Sequence, residues 1–149
     1  MAAHAIRLFA DDAAVRHVGE GLLARTLPKA EWTHEAHLAA CLWLVRERPD
    51  FLPERDMPGT ISAYNLSVGT QNTDCGGYHE TLTQLYIKGV RAFAATLAEG
   101  TPLVDAVNAL LESEIGDRSW PLCFFSRERL FSVEARRGWV EPDLAALED

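Results

Sequence analysis

Three of the five histidines in the chain have a spacing that suits chemistry. His34 and His37 lie three residues apart, so on a helix they share one face, together with Leu38 and Cys41. His79 leads a series at helical spacing, Leu82, Tyr86, Val90 and Phe93, and should point inward with it. All three fall in the first turn of expected helices, at the positive end of the helix dipole. That position disfavours imidazolium and keeps the ring neutral, the form a metal ligand requires. If the two helix starts meet, three imidazoles converge with one position left open. Three protein ligands plus water is the pattern of a catalytic centre for a divalent transition metal. Glu80, or alternatively Glu35, would then act on the bound water or serve as a fourth ligand. Hydrolysis of a small molecule is the reaction class that such a centre implies.

Two further readings use the same residues. The histidines could line a metal-free polar pocket that binds a small molecule or does acid–base work on it. They could also be structural, each bonded to a carbonyl, in a small-molecule-binding or protein-interaction domain. First-turn glutamates at positions 35 and 80 are expected on dipole grounds alone. The segment His34-Glu35-Ala36-His37 is one residue short of H-E-x-x-H, so it carries no metalloprotease motif. His4 and His17 fit no such pattern and are expected on the surface.

The cysteines, at positions 41, 75 and 123, form no C-x-x-C pair and suit a reducing compartment. Cys41 and Cys123 lie in apolar stretches and read as small core residues. Cys75 sits in a glycine-rich loop four residues before His79, where a thiolate–imidazole pair is conceivable and an exposed loop cysteine is the simpler reading. That loop carries neither G-x-x-x-x-G-K-[ST] nor G-x-G-x-x-G, so it gives only a weak anion-binding signal. Arg118, Arg127, Arg129, Arg136 and Arg137 make the C-terminal region locally basic, and ion pairs with nearby acids are their simplest use. The four tryptophans read as packing residues, or as the wall of an aromatic pocket.

The elements that must position these residues are helical. Val15, Val18, Leu22 and Leu23 mark a helix over about 11–27, closed by Pro28. Thr33 is a good N-cap for a second helix, ended by Pro49 and Pro53. A shorter helix is expected over about 59–68, with Ile61, Tyr64 and Val68 on one side and Gly69 as its stop. Residues 69–77 form a loop. A long helix should then run from His79 to about Ala98, and another should open with Thr101 as N-cap and Pro102 at its first position. Two short turns follow Ser126 and Ser132, with Gly138 as a stop. Nothing alternates with period two. The fold class is therefore all-α: a single-domain helical bundle, residues 1–149, with about five main helices and a short-helix C-terminal tail.

Composition agrees with that architecture. The 149 residues are 48% apolar and 24% charged, enough for one core without disulfide or metal staples. A net charge of −8 argues against nucleic acid or an anionic membrane as partner, and a small molecule is possible. The strongly apolar run from Ala36 to Val45 is too short to span a bilayer, and charges at Arg7, Asp11 and Asp12 interrupt any leader-like core. A cytoplasmic protein is expected, and nothing in the sequence specifies its oligomeric state.

One segment carries a resemblance. Tyr64-Asn65, Gly69, Asn72-Thr73 and Gly77-Tyr78-His79-Glu80-Thr81-Leu82-Thr83 resemble the signature of a family of small bacterial proteins with no established activity. The stretch from Thr33 to Leu38 is similar to it too, as is that from Ser126 to Ser132 running on to Trp139-Val140-Glu141-Pro142-Asp143. The resemblance implies helical architecture and a site, but no reaction. It adds weight to His34, His37, His79 and Glu80, and to the polar companions Asn65, Asn72, Tyr78, Thr81 and Thr83, which would orient the ring nitrogens or touch a ligand. Cys75 stands outside the signature.

Overall fold

The computed structural model describes residues 5–147, and His4 lies outside them. All regular structure in that range is helical. The main helices are α1 (Asp12–Ala24), α2 (His34–Glu47), α3 (Pro53–Ser67), α4 (Glu80–Ala95) and α5 (Leu103–Glu112). Two short ones, α6 (Arg127–Leu130) and α7 (Val133–Arg137), form the tail. Among the described residues no helix is long and apolar enough to cross a membrane.

The helix ends follow side-chain chemistry. Asp11 caps α1 by accepting from the Ala14 N–H, and Thr33 caps α2 by accepting from Ala36. Ser126 and Ser132 cap the two tail helices in the same way. The middle of α2, from Leu38 to Leu44, is buried without interruption. No single face explains that run, because α2 lies at the centre and packs against α1, α3, α4 and α5.

Several details differ from expectation for identifiable reasons. The third helix begins at Pro53, six residues before the expected start, because proline is well suited to a first helical turn. Pro58 lies inside it and cannot donate to the Glu54 carbonyl one turn back. Gln84 on α4 donates to that carbonyl instead, at 3.1 Å, so the proline is accommodated by the neighbouring helix. The Glu54 carboxylate also pairs with Arg91 of α4, fastening the same two helices.

Thr101 does not cap α5. Its hydroxyl donates to the Ala98 carbonyl, and the helix starts one residue later than expected. Asp12 of α1 instead accepts from the Val104 N–H at 2.8 Å, a cap supplied across the bundle. Cys123, expected in the core, is exposed. It ends the tight turn Trp120–Cys123, whose inward positions go to Trp120 and Pro121. Cys41 is buried as expected, and His17 is exposed within 2.8 Å of Glu31.

Candidate functional site

Helical stripes from α2, α3 and α4 face one cavity of about 490 Å³. On α2 the stripe is His34, His37, Leu38 and Cys41, each separated from the next by about one turn or less. On α3 it is Ile61, Asn65 and Val68; on α4 it is Leu82, Thr83, Tyr86 and Ile87, beginning at the cap residue His79. Trp32 and Lys29 approach from the segment before α2, and Thr70, Gly77 and Tyr78 from the ends of the loop. The volume is in the range that holds small organic ligands.

The structure thus brings His34, His37, His79, Asn65, Tyr78 and Thr83 to one space. It does not arrange them as a metal centre. His79 commits both ring nitrogens to the protein: Nδ1 accepts from the Leu82 N–H at 3.1 Å, and Nε2 donates to the Leu130 carbonyl at 2.7 Å. It is the N-cap of α4 and is only 7% exposed. Among the described residues no group of three or more His, Cys, Asp or Glu is placed to hold a metal ion. The ligand set expected from sequence is therefore not assembled, because helix capping has claimed its third member.

Glu80, expected as the base, lies outside the cavity lining. Its carboxylate accepts from the Tyr78 hydroxyl, with Gln84 Nε2 at 3.5 Å. Burial first, and then this carboxylate, raise the Tyr78 pKa and keep its hydroxyl protonated. Thr83 donates to the His79 carbonyl at 2.8 Å and so supports the helix start, not the ring. Glu35 is 5% exposed and accepts from the Arg7 N–H at 3.3 Å. Burial works against its charge, but hydrogen bonds to its own backbone and to Arg7 outweigh that, leaving its pKa lowered. Cys75 is exposed and has no partner in His79, whose nitrogens are taken.

The other two imidazoles each retain one uncommitted nitrogen. His34 Nε2 donates to the Gly116 carbonyl at 2.8 Å, which leaves Nδ1 as an acceptor in the neutral ring. His37 Nδ1 donates to the Thr33 carbonyl at 2.7 Å, leaving Nε2. These tautomers are assigned from the partners, since a carbonyl can only accept. His37 is exposed, lines the cavity and stacks its ring on Trp32 at 3.8 Å between centroids. Desolvation by the packed groups around the ring pushes its pKa down to about 4, with His34 acting in the same direction and the Thr33 carbonyl opposing. Burial likewise pushes the Cys41 thiol up to about 12 and the Tyr86 phenol up to about 12. Lys29, exposed, is the only charged side chain lining the cavity among the described residues.

Asn72, expected at the site, stands behind it. Its Oδ1 accepts from the Tyr78 N–H and from Asn65 Nδ2, each at 3.0 Å, and its Nδ2 donates to the Ser62 carbonyl at 3.0 Å. The loop turns tightly enough for this because Gly77 has φ +80°, where a Cβ would lie 2.4 Å from the Gln71 carbonyl oxygen. The tail arginines brace the same loop. Arg137 pairs with Asp74 at 2.7 Å, and Arg136 donates to the Gly77 and Tyr78 carbonyls at 3.1 and 3.3 Å. Thr81 ties in the chain beyond α7, donating to the Gly138 carbonyl at 2.8 Å and accepting from the Val140 N–H at 3.2 Å.

Sequence reasoning missed Ile61 and Tyr86 as cavity residues and gave Trp32 as a pocket wall only as one of two alternatives, together with the other tryptophans. The signal was present at Tyr86, one turn after Leu82 on the His79 stripe, and at Ile61, one turn before Asn65.

A pH dependence follows from His37 and His79. Both are held below the usual imidazole range, first of all by desolvation. Between pH 6.5, the unperturbed value, and about pH 4, the unfolded chain binds protons that folded His37 does not. Stability from these groups is complete above that window and is lost as pH falls through it. Chemical denaturation at about pH 7 and about pH 5 should show a lower midpoint at the acid value with an unchanged slope. His37→Phe should flatten the difference.

Compared with known proteins, the chain matches no family model, no characterised protein and no solved structure.

Proposed function

We propose that this protein binds a small, uncharged organic molecule in the cavity between α2, α3 and α4, and does so without a metal ion. The observation that carries this reading is the state of the histidines around a space of about 490 Å³. One is fully consumed by a helix cap and the Leu130 carbonyl, and two are each anchored to a backbone carbonyl through one nitrogen while the other nitrogen has no partner among the described residues. A few convergent polar groups on a mainly apolar and aromatic wall are what a preformed ligand site requires. A charged ligand is disfavoured because no carboxylate lines the cavity to meet a cation, and Lys29, exposed and solvated, gives an anion little.

Thermal denaturation against a panel of neutral aromatic fragments tests the proposal. A ligand at about one hundred times its Kd adds about 2.7 kcal/mol, which for a chain of this size raises Tm by roughly 5–10 °C. Leu82→Trp, which fills the cavity from a half-buried wall position, should abolish the shift while the variant still unfolds cooperatively. Chelator should leave both the Tm and the shift unchanged. An undiminished shift in Leu82→Trp, or near-stoichiometric metal that disappears in His37→Ala, would overturn the proposal.

A further inference from the structure

The Asn65 side chain can be oriented without ambiguity. A backbone N–H, that of Tyr78, donates to one end of the Asn72 amide, and that end must therefore be oxygen. The other end of Asn72 faces the Ser62 carbonyl and must be the amino group. The atom of Asn65 that meets Asn72 Oδ1 is then necessarily its NH₂. Asn65 Oδ1 is left over. The residue is only 8% exposed and lines the cavity, and no donor among the described residues reaches this oxygen.

The cavity therefore presents three groups of one kind. Asn65 Oδ1, His37 Nε2 and, in the tautomer that donates to Gly116, His34 Nδ1 are all acceptors, and each is fixed by a protein hydrogen bond through the other polar atom of the same group. The fixing partners are themselves rigid: a clamped loop amide and two backbone carbonyls. These acceptors are accessible in the open cavity, and a ligand that covered them without donors would bury them unpaired, so a site of this composition selects for molecules that bring donors. The surrounding wall of Trp32, Leu82 and Tyr86 supplies flat apolar surface. No carboxylate lines the cavity to hold a cation, and the one cation among the described lining residues, Lys29, is exposed and solvated, so it gives an anion little.

The geometry points to a ligand read through its donors: an uncharged ring molecule carrying two or more O–H or N–H groups, seated with those groups on Asn65, His37 and His34. This deepens the binding reading above and rests on it. Dihydroxynaphthalene is a suitable probe. Dimethoxynaphthalene keeps the ring and loses the donors, while naphthoate and naphthylmethylammonium add charge of either sign.

Titration calorimetry with these four compounds reads the ranking directly. The diol should bind roughly tenfold or more tighter than its dimethyl ether, consistent with about 1.4 kcal/mol from the lost donors, and both charged compounds should be weaker than the diol. Asn65→Leu and His37→Phe should each bring the diol and the ether close to equal while the ether still binds. If Asn65→Leu does not fold, His37→Phe carries the same comparison and retains an aromatic ring against Trp32. Equal binding of diol and ether by the wild-type protein overturns this inference and leaves the binding reading standing. Discrimination that survives in His37→Phe overturns the acceptor assignment, and naphthoate binding more tightly than the diol overturns the exclusion of charge. Binding by none of the four, up to millimolar concentration, removes both the inference and the reading beneath it.

Discussion

Replacing His79 with alanine is expected to destabilise the protein by about 2–4 kcal/mol, whether or not metal is present. Two separate losses make up that figure. The first turn of α4 loses the acceptor for the Leu82 N–H, a capping loss of about 1 kcal/mol. The Leu130 carbonyl loses its buried donor, which adds roughly 1–3 kcal/mol because no replacement can reach it from residue 79. Asparagine at this position is an informative control. It can cap the helix but is too short to bridge to Leu130, so it should recover the capping part alone. For a chain of this length the alanine variant should melt roughly 5–15 °C lower, and chelator should change neither protein. A metal-ligand role for His79 would give the opposite pattern, with a modest loss of stability and a strong dependence on added ion.

Gly116→Ala should be at least as damaging, at roughly 3 kcal/mol or more, and should disturb the cavity from outside it. A Cβ at this position would lie 1.8 Å from the Leu111 carbonyl oxygen and 2.5 Å from its carbon. Both are backbone atoms at the end of α5, so no rotamer change relieves the overlap and the main chain must move. Gly116 also provides the carbonyl that accepts from His34 Nε2. Displacing it frees His34 to rotate or to change tautomer, and its acceptor toward the cavity is no longer fixed. Urea denaturation should show the stability loss. The nuclear magnetic resonance signals of the His34 ring should shift in whatever fraction remains folded. A Gly116→Ala protein with wild-type stability and an unchanged His34 environment would contradict this account.

How far the sequence could be read depended on the range of each interaction. Caps at Thr33, Ser126 and Ser132 act within three residues, and all three were legible. So was the shared face of His34 and His37, whereas Asn65 entered only through the resemblance. Interactions between distant residues were not. Pro58 inside α3 depends on Gln84, and the start of α5 depends on Asp12, which lies 92 residues away from Val104. His79 gives the clearest case. Its place at a helix start was apparent, and a histidine there can be a ligand or a cap. The choice was made by the Leu130 carbonyl, 51 residues further along the chain. Glu80 was misplaced as a base for a related reason: its carboxylate was within reach of Tyr78, two residues earlier, and that contact holds it outside the cavity.

The bracing of α4 by the tail fixes when the cavity can exist as well as where. His79 needs Leu130, Thr81 needs Gly138 and Val140, and the Gly77–Tyr78 turn needs Arg136. A growing chain that has reached the end of α5 already contains every residue lining the cavity, yet none of these fastenings. During synthesis the pocket therefore stays unbraced until residues 130–140 emerge, some forty residues after the last residue that lines it.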